Sequence, residues 1–170
     1  MFEYSNISAI DADGASEPVT LNEAKAWLKV DYSDDDTVIT GLIKGARQTI
    51  EKLTSLALVN KSVTLTIETT KEERVTLPYG SVSALVVTDD EDETLELNDT
   101  YSLRGNMLSL NGSGGVYHLA YTVAVTDVPQ ALKEAILMEV AERYDNKGEA
   151  KEGISEPAKK RAIQFAHAWL

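Results

Sequence analysis

Apolar residues recur at helical spacing near the start of the chain and predict two helices joined by an acidic break. Thr20 and Glu23 have the Thr-x-x-Glu spacing of a capping box, so a helix of about ten residues is expected to begin here. Ser33 or Asp34 is the expected N-cap of a longer second helix. The positions expected to be apolar and buried are Leu21, Ala24, Trp27 and Leu28 in the first helix, and Val38, Ile39, Leu42, Ile43, Ala46, Ile50 and Leu53 in the second.

Two glycines, Gly41 and Gly45, stand four residues apart on the second helix. Each weakens a helix by roughly 1 kcal/mol relative to alanine. Their missing side chains also let another backbone come close. Two interpretations follow: tolerated glycines on a packed helix, or a contact with another subunit. Gly41 and Gly45 are therefore the candidate subunit-interface residues.

From Ser62 onward the apolar residues alternate with polar ones, which is typical of strands. Gly105-Asn106 and the segment from Asn111 to Gly115 separate such runs and are hairpin signals. These patterns predict about six short strands of an antiparallel sheet across residues 62–125, with TLELND (residues 94–99) as one of them.

Helical spacing returns at the end of the chain. Asp127 or Val128 is the expected N-cap of a helix that carries Pro129 in its first turn and runs to about Asn146. A charged linker follows, and Pro157 opens a last helix.

Together the elements predict an α+β fold: a small bundle of two N-terminal and two C-terminal helices with an inserted antiparallel β-sheet. A single domain is expected. Its parts are an N-terminal arm (1–16), a helical segment (20–56), the sheet (62–125), a helix (128–146), a linker (147–156) and the C-terminal helix (157–170).

The 170-residue chain carries a net charge of −12. An acidic surface repels phosphates and anionic lipids, so neither a general DNA-binding protein nor a membrane-surface protein is expected. The sequence has no cysteine, which excludes disulfides and thiolate zinc sites. It shows no signal peptide and no apolar run of roughly 18 residues, so a soluble protein that begins in a cytoplasm is expected.

The residues that could carry chemistry lack the necessary spacing. The acidic run from Thr88 to Glu96 has no turn glycine of a calcium loop, so a solvated hairpin tip is the preferred interpretation. His118 and His167 stand in no His-x-x-x-His or Glu-x-x-His frame. The sequence predicts no catalytic residue, no metal site, no cofactor and no enzymatic activity.

The last helix combines a basic triplet with an apolar stripe. It either closes the core of its own chain or docks on a partner through an aromatic anchor and a basic rim. The candidate docking residues are Lys159, Lys160, Arg161, Phe165, Trp169 and Leu170.

Two blocks of the chain resemble one protein family. EPVTLNEAKAWLKVDYSDDDTVITGLIKGARQTIEKLTSLALV (residues 17–59) begins with Glu-Pro-Val-Thr-Leu, followed by an Ala-Lys-x-x-Leu-x-Val helix, an acidic link and a long helix. DVPQALKEAILMEVAERYDNKGE (residues 127–149) has a Val-Pro start and a helix ending near Tyr-x-Asn. In this order the blocks resemble the head–tail connector family of long-tailed double-stranded DNA phages. The chain departs from many relatives at its end, where a longer helix stands in place of a short basic tail.

The resemblance implies a structural virion protein, an adaptor at the head–tail interface that is assembled in the host cytoplasm. Its implied partners are the portal protein, a stopper or tail-completion protein, and itself in a ring of about twelve copies. The ring would extend the DNA channel, DNA would pass through the lumen without specific binding, and no membrane is involved. On this basis the residues of the last helix named above become portal-binding candidates.

Two other classes stay open from the residues alone. One is an acidic DNA mimic or regulatory binding protein that occupies a basic partner. The other is an enzyme whose site is unrecognised, which a deep pocket holding carboxylates of perturbed pKa would indicate.

Overall fold

The computed structural model describes residues 3–70, 73–111, 114–146 and 153–166. The chain forms two compact units: a β unit of Met1–Ala15 with Val59–Val125, and a helical unit of Ser16–Leu58 with Thr126–Leu170. Helices and antiparallel sheets thus confirm the predicted α+β class; six of the described strands lie between the two pairs of helices and one precedes them.

The β unit contains two antiparallel sheets, where one was predicted. A four-stranded sheet has the order β1-β2-β7-β4 and a three-stranded sheet has the order β3-β6-β5. The strands are β1 (Glu3–Asp11), β2 (Lys61–Thr69), β3 (Glu73–Thr76), β4 (Val82–Asp89), β5 (Tyr101–Arg104), β6 (Met107–Leu110) and β7 (Gly115–Val123).

One face of the four-stranded sheet is buried. Val63, Leu65 and Ile67 of β2 are at most 2% exposed, and Leu119 and Tyr121 of the neighbouring β7 at most 3%. The Tyr121 hydroxyl donates to the carbonyl of Pro78, in the loop after β3, at 3.1 Å. The alternating pattern read from Ser62 onward therefore identified core residues correctly.

Residues 1–16, expected to be an arm, contain strand β1, which pairs with β2. A bulge between Ser5 and Ser8 shifts the register, and Asn6 has a positive φ of 52°. The bulge breaks the alternation that marks a strand, and Ile7 and Ile10 are 47% and 67% exposed. The sequence signal of this edge strand was therefore lost.

The segment TLELND is not a strand, so that prediction was wrong. It makes two isolated bridges, Thr88 with Thr94 and Leu97 with Tyr101. Leu97 is 52% exposed, so its alternating leucines do not line a buried face. Among the described residues, six strands lie between Lys61 and Val123, which agrees with the predicted number.

The helical unit contains α1 (Leu21–Leu28), α2 (Asp36–Thr54), α3 (Gln130–Asp145) and α4 (Glu156–Ala166). The predicted capping box is present at α1. The N-cap of α2 is Asp35, not Ser33 or Asp34, and the N-cap of α3 is Pro129, not Asp127 or Val128. Neither of these two caps makes a side-chain hydrogen bond to its helix.

The apolar stripe of α2 is buried at four of the predicted positions, Ile39, Ile43, Ala46 and Ile50. Two predicted core residues are wrong: Val38 is 45% exposed, and Trp27 on α1 is 46% exposed. The last helix begins at Glu156, one residue before Pro157. Residues 167–170 of the predicted helix and 147–152 of the predicted linker lie outside the described residues.

Candidate assembly surfaces

The inner side of α2 carries a fully buried cation, Arg47, which is 0% exposed. Its Nε lies 2.8 Å from the Glu17 carboxylate, before α1, and its Nη1 lies 2.7 Å from the Glu51 carboxylate one turn further along. The second oxygen of Glu51 accepts the backbone N–H of Leu58 at 2.8 Å. These bonds compensate the burial of charge and tie the segments on both sides of α2 to the helix.

A second internal pair explains one of the two glycines. Arg143 on α3 donates through Nε to Glu139 at 2.8 Å and through Nη2 to the Thr49 hydroxyl on α2 at 2.8 Å. A Cβ added at Gly45 would stand 3.0 Å from Arg143 Nη1. The missing side chain of Gly45 therefore makes room for an arginine of its own chain. At Gly41 an added Cβ would meet nothing within 4 Å.

Helix α4 packs on α2 and α3 within the helical unit. Ala158 and Ala162 are fully buried, and Phe165 is partly buried. The backbone N–H of Ser155, at the start of α4, donates to Glu139 at 2.8 Å. Ser155 in turn accepts the Lys159 N–H through its carbonyl at 2.9 Å. The described part of the last helix therefore closes the core of its own unit.

The three basic residues of α4 differ in their contacts: two form ion pairs within the chain and one is exposed. Arg161 pairs with Glu134 of α3 at 2.7 Å, and Lys159 lies 3.8 Å from Glu156. Lys160 is exposed. The candidates Trp169 and Leu170 lie outside the described residues.

Asp35 joins the link between α1 and α2 to the end of α3. Its carboxylate accepts hydrogen bonds from the hydroxyls of Tyr144 and Tyr32, and the two hydroxyls are 3.0 Å apart. The bond to Asp35, and then that to Tyr32, raises the pKa of the Tyr144 phenol well above its usual range. Tyr144 therefore stays neutral, and the cluster acts as a positioning contact.

The outer face of α2 is the surface that sequence reasoning described incompletely. Gly41 was identified, but Lys44, Gln48 and Lys52 are exposed on the same side of the helix. Helical spacing places all four on one stripe. A helical projection of the charged residues, and not only of the apolar ones, would have indicated this stripe.

The predicted acidic hairpin tip follows β4. The Asp89 carboxylate accepts the backbone N–H groups of Glu91 and Glu93 at 3.0 and 2.9 Å, so the turn is held by its own side chain. Across the described ranges, no group of three or more His, Asp or Glu is placed to hold a metal ion.

The outer face of the four-stranded sheet carries no Asp, Glu, Lys or Arg over three consecutive rows of cross-strand neighbours. His118 lies there, with Nδ1 3.2 Å from the Thr66 hydroxyl, in a shallow groove of about 310 Å³. The rows are Ile10-Ser62-Thr122-Ser83, Ser8-Thr64-Ala120-Val86 and Ser5-Thr66-His118-Thr88.

Within the described segments, none of the helices has the length and apolar character needed to cross a bilayer.

The fold has close counterparts among particles that carry a neck. The chain is similar to a protein in the "Neck of empty GTA particle computed with C6 symmetry", with a TM-score of 0.69, 14% identity, and coverage of 93% of this chain and 94% of the other. It is similar to a chain in the "Virion of native gene transfer agent (GTA) particle", with a TM-score of 0.68, 14% identity and coverage of 95% and 94%. A third match, with a TM-score of 0.68, 14% identity and coverage of 93% and 94%, is in the "Neck of native GTA particle computed with C12 symmetry".

At this identity the structural likeness establishes a shared fold. A search of curated protein sequences gives no significant match. The sequence itself matches the family model of the phage gp6-like head–tail connector protein over residues 18–165. That match spans both helical blocks and the strands between them. The chain therefore belongs to the phage gp6-like head–tail connector family of structural virion proteins.

Proposed function

We propose that this protein is the head–tail adaptor of a phage-like particle, a ring of about twelve copies beneath the portal that extends the DNA channel. The observation that carries the proposal is the family match over residues 18–165, together with whole-chain likeness to proteins of particle necks, one of them computed with C12 symmetry. The far side of the ring would offer a platform to a stopper or tail-completion protein. The protein would assemble in the host cytoplasm and reside at the head–tail interface of the virion.

A cyclic ring needs two different, complementary faces on every subunit. The exposed side of α2, with the open Gly41, is one candidate for such a face, and the outer face of the four-stranded sheet is another. Gly45 contributes to this surface indirectly, because it lets Arg143 brace α2 from inside.

The acidity of the chain suits a channel. A net charge of −12 offers phosphates no release of counterions, so DNA would move through the lumen without adhering. The isolated protein is accordingly expected not to retard duplex DNA at near-physiological salt.

For portal binding, the exposed Lys160 and the end of the chain with Trp169 and Leu170 are the proposed contacts. Lys159, Arg161 and Phe165 would support them from α4. The pair of Arg161 with Glu134 and the burial of Ala158 and Ala162 hold α4 in place, so portal binding would not require the helix to leave its own core.

The test is negative-stain imaging of the full chain, alone and mixed with the portal protein of the same particle. A closed ring beneath the portal is expected, with a monomer or loose oligomer in the absence of the portal. A compact dimer that persists on dilution and leaves the portal bare would overturn the proposal. Salt-sensitive binding of DNA at micromolar concentration would contradict the channel role separately.

A further inference from the structure

The outer side of α2 forms a basic stripe in an acidic protein. It consists of Thr37, Gly41, Lys44, Gln48 and Lys52, all of them exposed and none of them a carboxylate. These residues span about 22 Å along the helix, and the two lysines lie about 12 Å apart along its axis.

The charge of this stripe is not neutralised within the chain. The acidic residues of α2 are used elsewhere: Asp36 pairs with Lys25 at 2.6 Å and Glu51 with Arg47 at 2.7 Å. In the part of the chain that the structure describes, neither Lys44 nor Lys52 pairs with a carboxylate. The basic triplet of α4 differs, because Arg161 is bonded to Glu134.

The complementary surface is the last residue of β4 and the loop that follows it, residues 89–99, which we call the acidic loop. It holds seven Asp or Glu and no Lys or Arg. Its formal charge of −7 is more than half of the net charge of −12 of the whole chain. Its exposed carboxylates are Asp90, Glu91, Asp92, Glu93, Glu96 and Asp99.

The acidic loop is ordered before any partner binds. Asp89 holds the turn through two backbone N–H groups, and the Leu95 N–H donates to the Val87 carbonyl at 2.9 Å. A loop with a defined shape loses less conformational entropy on docking than a mobile one.

We propose that α2 docks on the acidic loop of a second copy of this chain, and that this heterologous contact closes the ring. The inference rests on the proposed function, because a ring requires copies to meet head to tail. Copies that each carry a charge of −12 repel one another, and this pairing places the densest negative charge of one copy on a carboxylate-free basic stripe of the next. Gly41, with open space around it, allows the neighbouring loop to approach the helix backbone.

The first test uses the absence of cysteine in the chain. Gln48→Cys and Glu91→Cys are prepared as two separate full-length variants and treated with a short bismaleimide. Mixing the two in the presence of the portal protein is expected to give a crosslinked dimer, while each variant alone with the portal stays uncrosslinked. Pairing Gln48→Cys with Met107→Cys, at an exposed position of the three-stranded sheet, is the matched control and is expected to give no dimer.

The second test is charge reversal. Lys44→Glu with Lys52→Glu is expected to weaken ring assembly on the portal about tenfold at low salt, measured by sedimentation of mixtures with the portal protein, and less at high salt. Adding Asp90→Lys and Asp92→Lys to the same chain should restore it. Arg74→Glu with Arg104→Glu changes the net charge equally on exposed residues of the three-stranded sheet and should leave association unchanged.

The outcomes separate this contact from the proposed function. A ring on the portal with no crosslink between positions 48 and 91 overturns the contact and leaves the adaptor role standing. Crosslinking of Gln48→Cys with itself indicates an isologous dimer and overturns the contact. Absence of any ring overturns both.

Discussion

A Cβ placed on Gly45 would stand 3.0 Å from Nη1 of Arg143, whereas a Cβ placed on Gly41, one turn earlier, would meet nothing within 4 Å. Two glycines of the same helix thus have different reasons to lack a side chain. Gly45 accommodates an arginine inside the unit, and Gly41 leaves the outer surface of α2 open.

The two glycines therefore predict unequal effects of alanine. Gly41→Ala should stabilise the isolated protein by roughly 1 kcal/mol, raising its melting temperature by about 2 to 4 °C. Gly45→Ala should gain less, because the Arg143 side chain must shift. Calorimetry on both variants measures this difference, and an equal gain would show that Arg143 yields without cost. Gly41→Trp, which fills the open space, should impair ring formation while leaving the monomer folded.

The buried Arg47 predicts that removing the arginine destabilises the protein more than removing the charge of its partly exposed partner Glu17. Arg47→Met leaves Glu51 buried without its cation and should lower the free energy of unfolding by about 3 to 5 kcal/mol. Glu17→Gln, at a residue whose side chain is 29% exposed, should cost about 1 kcal/mol or less. Urea unfolding of the two variants tests the order. Comparable losses would mean that Glu17, and not Glu51, holds the arginine in place.

The capping box of α1 predicts a dependence on pH. Hydrogen bonds from the Thr20 backbone N–H and hydroxyl hold the pKa of Glu23 below its usual 4.5. A carboxyl group whose pKa is lower in the folded than in the unfolded state stabilises the fold at a pH above its unfolded-state pKa. This stabilisation is lost as the pH falls through the folded-state pKa. Thr20→Ala should cost about 1 kcal/mol at neutral pH, with a difference from the parent that shrinks below about pH 4.5. Thr20→Ser is the control that keeps the box. A difference independent of pH down to about pH 3 would contradict the assignment.

The packing of α4 predicts that its small residues matter more than its polar ones. Ala162 is fully buried, so Ala162→Leu should overpack the contact with α2 and α3 and cost about 1 to 3 kcal/mol. Gln164→Leu introduces the same side chain at an exposed position and should change stability by less than about 0.5 kcal/mol. Thermal unfolding compares them. A neutral Ala162→Leu would indicate that α4 is only loosely held.

The end of the chain predicts how binding to the portal responds to salt. If Trp169 anchors the protein on the portal, Trp169→Ala should weaken binding at any salt concentration, by about 2 to 4 kcal/mol. Lys160→Glu, at an exposed position, should weaken it mainly at low salt. Titrations against immobilised portal at two salt concentrations distinguish the two. A fall of several degrees in the melting temperature of isolated Trp169→Ala would instead assign the tryptophan to its own core.

The sequence alone determined the features that depend on neighbouring residues. The Thr20–Glu23 box satisfies helix donors within one turn, and the alternation from Val63 to Ile67 follows from strand geometry, so both were readable without a fold. The order of these local patterns also carried the family resemblance, which the match over residues 18–165 confirmed.

Only the tertiary structure decided which patterned residues are buried and which charges are paired. Val38 follows the helical period yet remains 45% exposed, because burial depends on what packs against a position and not on the period alone. Strand β1 could be recognised only from its pairing with β2, because its bulge interrupts the alternation of apolar and polar residues. The absence of a side chain at Gly45 is explained by Arg143, nearly a hundred residues away in the chain, and local spacing does not encode that contact.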